Sequence, residues 1–470
     1  MSVVEPSGTP SLAVMTAKLA DSIAGDVPGG TPRRVHGEVR MPGKVTAVVG
    51  TRRAGKTMFL HQMRREQMSA GMPRERLPYL NFEDERLAGL TADRLHVLVD
   101  EYYRRFPATR RRETVVWCLD EIQNVPGWER FLRRLLDDEK VEVVVSGSSA
   151  ALLSLEIATA LRGRAWTVVL HPFSFAEALR HAGFTVPERP DFLDAPSRSA
   201  MEHALGRYLS VGGFPEAQGL ETATRFQLLR DYVDVAILRD VVERHGVSNV
   251  AGLRWLVRHL LGNAAGLFSV ERFYAALKSQ GIAIAKDTVH QLLEYLQDCF
   301  LVRTIWLEAA SERQRMVNPR KAFPVDTGLI PVFDRSGRTN VGHALETTVL
   351  LELERRRADV TYVTTPQGYE VDFLARYADG REELIQVCAS AADRSTTERE
   401  LRALLDASPQ HPGARRTLLT LTADGLPAEA PPGVIAQPAY VWLLTPPGSS
   451  GTAPAPPDPR GDPSAAGGSA

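Results

Sequence analysis

The stretch Gly50-Thr51-Arg52-Arg53-Ala54-Gly55-Lys56-Thr57 fits the pattern G-x-x-x-x-G-K-[ST]. Its chemistry is that of a polyphosphate cradle. Gly50 and Gly55 admit backbone conformations in which the amides of Thr51, Arg52, Arg53 and Ala54 face an anion. A helix starting near Lys56 adds the partial positive charge of its N-terminus. The Lys56 ammonium suits the β- and γ-phosphates of a nucleotide, and the Thr57 hydroxyl suits a magnesium ion.

A second candidate group follows at Thr114-Val-Val-Trp-Cys-Leu-Asp-Glu-Ile-Gln123. An apolar run ends there in two carboxylates. Behind a phosphate loop, Asp120 at a strand end would hold the magnesium, and Glu121 would polarise the attacking water as general base. A third, Glu142-Val-Val-Val-Ser-Gly-Ser-Ser149, ends a buried strand in hydroxyls. Ser146 or Ser148 would sense the terminal phosphate if that strand neighbours the Asp120 strand; otherwise the stretch is a Ser/Gly loop. Arg162 and Arg164 precede the next strand. Either is a surface arginine or, with Arg164 favoured, an arginine finger serving its own subunit or a neighbour's.

These residues need elements to hold them. Strand-like runs at Thr46–Val49, Tyr79–Phe82, Val115–Leu119, Val141–Val145 and Trp166–Leu170 alternate with helical patterns, which predicts a parallel sheet covered by helices on both faces. Ser174-Phe-Ala-Glu177 reads as a capping box opening a helix. Beyond Gly213 the chain turns helical, through Tyr232–Arg244, Leu253–Leu261, Ser269–Ser279 and Thr288–Gln297. A strand at Phe300–Leu307 follows. Three helices and a strand fit a winged helix. The last of those helices offers His290, Gln291, Glu294 and Gln297 outward, which is not a basic reading surface, so packing or interaction is favoured over duplex readout.

The order of phosphate loop, Asp-Glu-Ile-Gln, Ser-Gly-Ser-Ser, Arg-Gly-Arg, His171-Pro-Phe-Ser-Phe-Ala-Glu177 and Gly212-Gly-Phe-Pro215 resembles the prokaryotic AAA-type P-loop ATP-binding proteins. In that family the ATPase is followed by a winged-helix-like region and a C-terminal domain of unknown function, number 4143. The resemblance covers roughly residues 33 to 445. It implies ATP rather than GTP, and the guanine-reading pattern Asn-Lys-x-Asp does not occur in the sequence. Arg239-Asp240 resembles the family's Arg-Asp pair, and its simplest reading is a structural salt bridge.

In the last region, Glu346 on a helix, Asp372 on a strand and Gln386-Val-Cys388 on the next fall in the order of a nuclease constellation. A working site of that kind has a carboxylate where Gln386 stands and a lysine where Cys388 stands. The region resembles a restriction-endonuclease-like fold with a degenerate site, and no nuclease activity is expected.

The resulting division is 1–32 flexible, 33–215 AAA-type ATPase, 216–310 helical and winged-helix-like, 311–445 α/β restriction-endonuclease-like, and 446–470 a disordered tail. With 470 residues the chain exceeds a single core. Its 56 basic and 57 acidic residues create no global field, so nucleic acid is not implied by charge. Three scattered cysteines suit a reducing cytosol, and no apolar run approaches the roughly 20 residues of a membrane span. The sequence reads as a cytoplasmic ATP-hydrolysing switch using ATP and Mg2+ and meeting an unidentified protein partner, with an oligomer left open. The alternatives are an ATP-dependent DNA-processing nuclease and a nucleotide-binding scaffold with little turnover.

Overall fold

The computed structural model describes residues 10–147, 161, 163–335, 340–389 and 394–447. Ser148 and Arg162 lie outside the described residues.

The first sheet contains β1 (Val45–Val49), β2 (Tyr79–Asn81), β3 (Val115–Asp120), β4 (Val141–Gly147) and β5 (Ala165–Val169). All neighbours pair in parallel, in the order β2-β3-β4-β1-β5. β1 and β3 are buried at every position. Unbroken apolar runs are what a sheet covered on both faces requires. Val45, Ala47, Trp117 and Val143 pack on one face with Leu95, Tyr102 and Leu132, from the helices Ala92–Arg105 and Trp128–Asp138. The alternate residues Val48, Val116, Cys118 and Val144 face Phe59, Leu60 and Met63 of the helix Lys56–Ser69.

The stretch expected to be flexible at the N-terminus contains a helix, Leu12–Ala24. The Ser11 hydroxyl caps it by accepting from Val14 N. Met15, Leu19 and Ile23, one helical turn apart, pack on the first core, and Met15 and Leu19 are fully buried. Three apolar side chains on one stripe outweigh the polar composition around them.

The helix Thr222–Val235 runs directly into a π-helix, Ala236–Glu243. Next come the helix Val250–Gly262, β6 (Gly266–Phe268), the helices Val270–Ser279 and Lys286–Asp298, then β7 (Val302–Leu307) and β8 (Arg320–Pro324). β8 pairs antiparallel with both β6 and β7, and this three-stranded ribbon, hereafter the wing, stands where the sequence offered one strand. Leu256, Leu260, Leu277, Val289 and Leu293 form its core.

Five more strands complete the fold: β9 (Asp359–Thr364), β10 (Glu370–Arg376), β11 (Glu382–Cys388), β12 (Arg415–Thr420) and β13 (Val434–Pro438). β7 pairs in parallel with β9, so wing and C-terminal strands make one mixed sheet, β13-β12-β11-β10-β9-β7-β8-β6. Residue 310 falls between β7 and β8, which pair with each other. Leu345 and Val349 of the helix Val341–Arg355 cover Phe373 and Ile385 on one face. Leu401 and Leu404 of the helix Arg394–Ala407 cover Leu374 and Leu384 on the other.

The Gly212-Gly213 landmark meets Asp326, two residues after β8. Gly213 N donates to Asp326 Oδ2 at 2.6 Å, and Gly328 N donates to Oδ1 at 2.9 Å. A Cβ at Gly212, whose φ is +80°, would stand 1.8 Å from the same carboxylate. Burial pushes the Asp326 carboxyl up to about 6 against the pull of those two amides.

Candidate nucleotide site

The phosphate loop leaves β1 through Gly50, with φ +149°. A Cβ there would lie 2.1 Å from the Leu170 carbonyl oxygen, so the chain can turn at that point only as glycine. Gly55, with φ +95°, caps the helix Lys56–Ser69. Lys56, which follows Gly55, is buried, and its Nζ donates to the carbonyls of Gly50 and Thr51, both at 3.1 Å. Burial holds its pKa below the usual lysine value, while Glu121 and Asp120 oppose that shift.

Asp120, at the end of β3, is fully buried and gathers three hydroxyls. Thr57 Oγ1 donates to its Oδ2 at 2.7 Å, Tyr79 OH to the same oxygen at 2.8 Å, and Ser146 Oγ to Oδ1. β4 lies between β3 and β1, with Ser146 in register with Val48, and this brings the hydroxyl to the carboxylate. Ser146 Oγ also accepts from Glu121 N at 3.0 Å, so one serine orients both acidic residues. Glu121 itself sits in the left-handed region, φ +52°, where a non-glycine residue is strained. Gln123 Nε2 donates to its Oε2. Burial raises the Glu121 pKa, and the nearby Lys56 charge and the Gln123 bond pull it back.

The loop's arginines face outward from the sheet and reach other parts of the chain. Arg52 binds both oxygens of Asp240 in the π-helix, at 2.8 and 2.9 Å. Arg53 Nη1 lies 3.2 Å from Glu216 Oε1, and Tyr232 OH donates to the other oxygen of that carboxylate. Arg33, upstream of the sheet, donates to the Ala54 carbonyl at 2.6 Å and to the His171 carbonyl at 2.5 Å. Glu177 of the capping box pairs with it at 3.2 Å. Arg33, Tyr79 and Glu177 are thus parts of the site's support that spacing from the loop motif did not reveal. Arg239 and Asp240 do not pair with each other: Arg239 meets Glu243 at 3.4 Å on the surface, and Asp240 turns to the phosphate loop.

Arg164 stands away from the phosphate loop. Its carbonyl accepts from Val45 N, so it stands beside the first residue of β1, at the end of the sheet away from the phosphate loop. Five residues of strand, at about 3.3 Å each, separate the two ends. Its side chain is exposed and ion-paired with Asp137. It does not serve as a finger to the loop of its own chain.

The residues suit a nucleotide triphosphate with a magnesium ion. The donor set is one hydroxyl, one carboxylate and one ammonium around a glycine-framed loop. Among the described residues no three His, Cys, Asp or Glu side chains cluster as an all-protein metal cage.

The second constellation also forms. Glu346 and Asp372 lie together, with Glu370, around Lys321 from β8. Gln386 Oε1 accepts from Asp372 N at 3.2 Å, and Cys388 is buried at the end of β11.

Comparison with known proteins places this geometry. A family model described as an AAA domain matches residues 42–179. An uncharacterized protein of Methanocaldococcus jannaschii is 33% identical over 368 residues, covering 77% of this chain and 78% of its own. The chain belongs to the AAA-type P-loop family. A second family model, a domain of unknown function (DUF8612), matches residues 202–338 of this AAA-type protein, the stretch that runs from the helix before Gly212 through the wing. An uncharacterized protein of Haemophilus influenzae is 28% identical over 336 residues, covering 71% of this chain and 80% of its own. Among solved structures, the Walker-type ATPase of Pyrococcus abyssi is similar at 16% identity and a TM-score of 0.35, over 70% of this chain and 99% of that one. The Aeropyrum pernix ORC1 protein, solved in complex with DNA, is similar at 16% identity and a TM-score of 0.25, over 68% and 90%. Among the described residues of the AAA-type protein, no helix is long and apolar enough to cross a membrane.

Proposed function

We propose that this AAA-type protein is a cytoplasmic ATP-hydrolysing switch whose nucleotide state is passed to the downstream helical and C-terminal regions, and from there to a protein partner. The observation that carries the reading is the Arg52–Asp240 pair, which ties the third position of the phosphate loop to the π-helix. A triphosphate seated in the loop competes with the Asp240 carboxylate for the Arg52 guanidinium. Only contacts that differ between two states let a ligand shift their balance, and this pair is such a contact. π-segments cluster at functional sites, because their widened turn is costly to keep.

In this reading the amides of Gly50–Thr57 and the Lys56 ammonium bind the phosphates. Thr57 and Asp120 hold the magnesium, which supplies charge neutralisation at the phosphate oxygens. Tyr79 and Ser146 fix the Asp120 carboxylate in place. Glu121 orients the water and accepts its proton, a task favoured by the raised pKa that burial gives it.

Titration with labelled ATP and steady-state phosphate release test the reading together. Magnesium-dependent binding with turnover supports it. Binding without phosphate release would leave a scaffold, and no binding would end the nucleotide reading.

A further inference from the structure

A restriction-endonuclease-like fold implies a divalent metal among Glu346, Asp372 and the β11 position that Gln386 holds, and the residues present do not fit one. Lys321 rises from β8, passes the Tyr362 ring of β9 at 5.9 Å, and ends among the acidic side chains. Its Nζ lies 2.7 Å from Glu370 Oε1, 3.0 Å from Asp372 Oδ1 and 3.6 Å from Glu346 Oε2. Its side chain is 3% exposed. A divalent ion bound to the same oxygens would sit about 2.0–2.6 Å from each, in the volume this ammonium fills. Asp372 has no oxygen to spare, since its Oδ2 accepts from Val387 N at 3.0 Å. Gln386 is engaged as well: its oxygen takes the Asp372 amide and its nitrogen donates to Glu400 at 2.6 Å.

We infer that Lys321 is the resident cation of this cluster and takes the position that a divalent metal holds in a working nuclease site. The electrostatics agree with the geometry. Burial disfavours the Lys321 charge, but the surrounding carboxylates outweigh it and keep the ammonium protonated. Since β8 belongs to the wing and β10 to the C-terminal strands, the lysine also ties the two parts of the mixed sheet together. The missing lysine of β11 is replaced here by one from another strand, in the role of counter-ion. This inference stands independently of the nucleotide reading.

The test is Mn2+ binding by the full chain without nucleotide, read by electron paramagnetic resonance. The variants are Asp372→Asn, Lys321→Ala, and Lys321→Ala with Asp372→Asn. The wild-type chain should show no Mn2+ that Asp372→Asn removes. Lys321→Ala should gain one Mn2+ per chain, and adding Asp372→Asn should abolish the gain. Weak binding at Asp120 is common to all four chains and cancels. A wild-type signal that falls on Asp372→Asn would overturn the inference, because metal and lysine would then coexist. A Lys321→Ala chain that is folded by circular dichroism and gains no Mn2+ would overturn it too. If Lys321→Ala does not fold, Lys321→Ala with Glu370→Gln, which carries one like charge fewer, takes the same measurement and is judged by the same outcomes. The wild-type and Asp372→Asn comparison decides in any case.

Discussion

The Arg52 guanidinium and the Asp240 carboxylate form a two-bond ion pair across 188 residues of sequence. Asp240 is buried and Arg52 about one-quarter exposed. Burial opposes the Arg52 charge, but the bonds and charge of Asp240 more than restore it. The pair joins a residue that belongs to the phosphate loop to one that belongs to the downstream helices.

Removing Asp240 should strengthen ATP binding. In the Asp240→Ala chain, Arg52 no longer has to leave a carboxylate, and one negative charge near the phosphates is gone. A half-buried pair of this kind is worth about 1–2 kcal/mol, so the dissociation constant for ATP should fall by about 5- to 30-fold. Equal or weaker binding in a fluorescence titration would show that the pair and the nucleotide do not compete.

The nucleotide site should separate into binding and turnover. Lys56→Ala should weaken ATP binding, and Asp120→Ala should remove the part of the affinity that depends on magnesium. Glu121→Gln should bind ATP and lose about 10²- to 10⁴-fold in phosphate release, the range typical of a lost general base. Wild-type release from Glu121→Gln would take the base role from Glu121.

Much of this was legible because the signals are local. The phosphate loop, the Asp120–Glu121 pair and the Ser174–Glu177 capping box each complete their pattern within a few residues, and strand burial followed apolar runs such as Val45–Val49. What sequence hid is long-range. Nothing near Arg52 announces Asp240, and Tyr79 reaches Asp120 only because β2 pairs with β3. Lys321 reaches Asp372 across two intervening strands. The place of Arg164 was legible as well: it precedes β5, and in a parallel sheet the start of a strand lies opposite the end from which the phosphate loop leaves β1.

Arg164→Ala should leave ATP hydrolysis unchanged at every protein concentration. Its surface pair with Asp137 contributes about 0–1 kcal/mol, so the melting temperature should barely move. A loss of turnover larger than the loss of binding would restore it as a finger, acting on a neighbouring subunit.

Acid should weaken the ATPase region through His61. Burial, with Arg64 and Arg65 adding repulsion against the attraction of Asp120, lowers its pKa from 6.5 to about 4. The unfolded chain therefore binds this proton first as pH falls. The contribution is fully present above pH 6.5 and is lost as pH drops from there toward 4, by at most about 3 kcal/mol. His61→Phe keeps a ring against Tyr79, which lies 4.4 Å away between ring centroids. It should flatten the dependence of melting temperature on pH over that window. A slope identical to wild type would show that His61 is not responsible.

The switch itself is tested most directly by hydrogen exchange at residues 236–243, with and without ATP and magnesium, in the Glu121→Gln chain. Binding of ATP should speed exchange there as Asp240 loses Arg52. Adding Asp240→Ala should make exchange fast from the start and insensitive to ATP. Exchange at 236–243 that does not change while ATP is bound would contradict the account, because the nucleotide would then occupy the loop without reaching the helices beyond it.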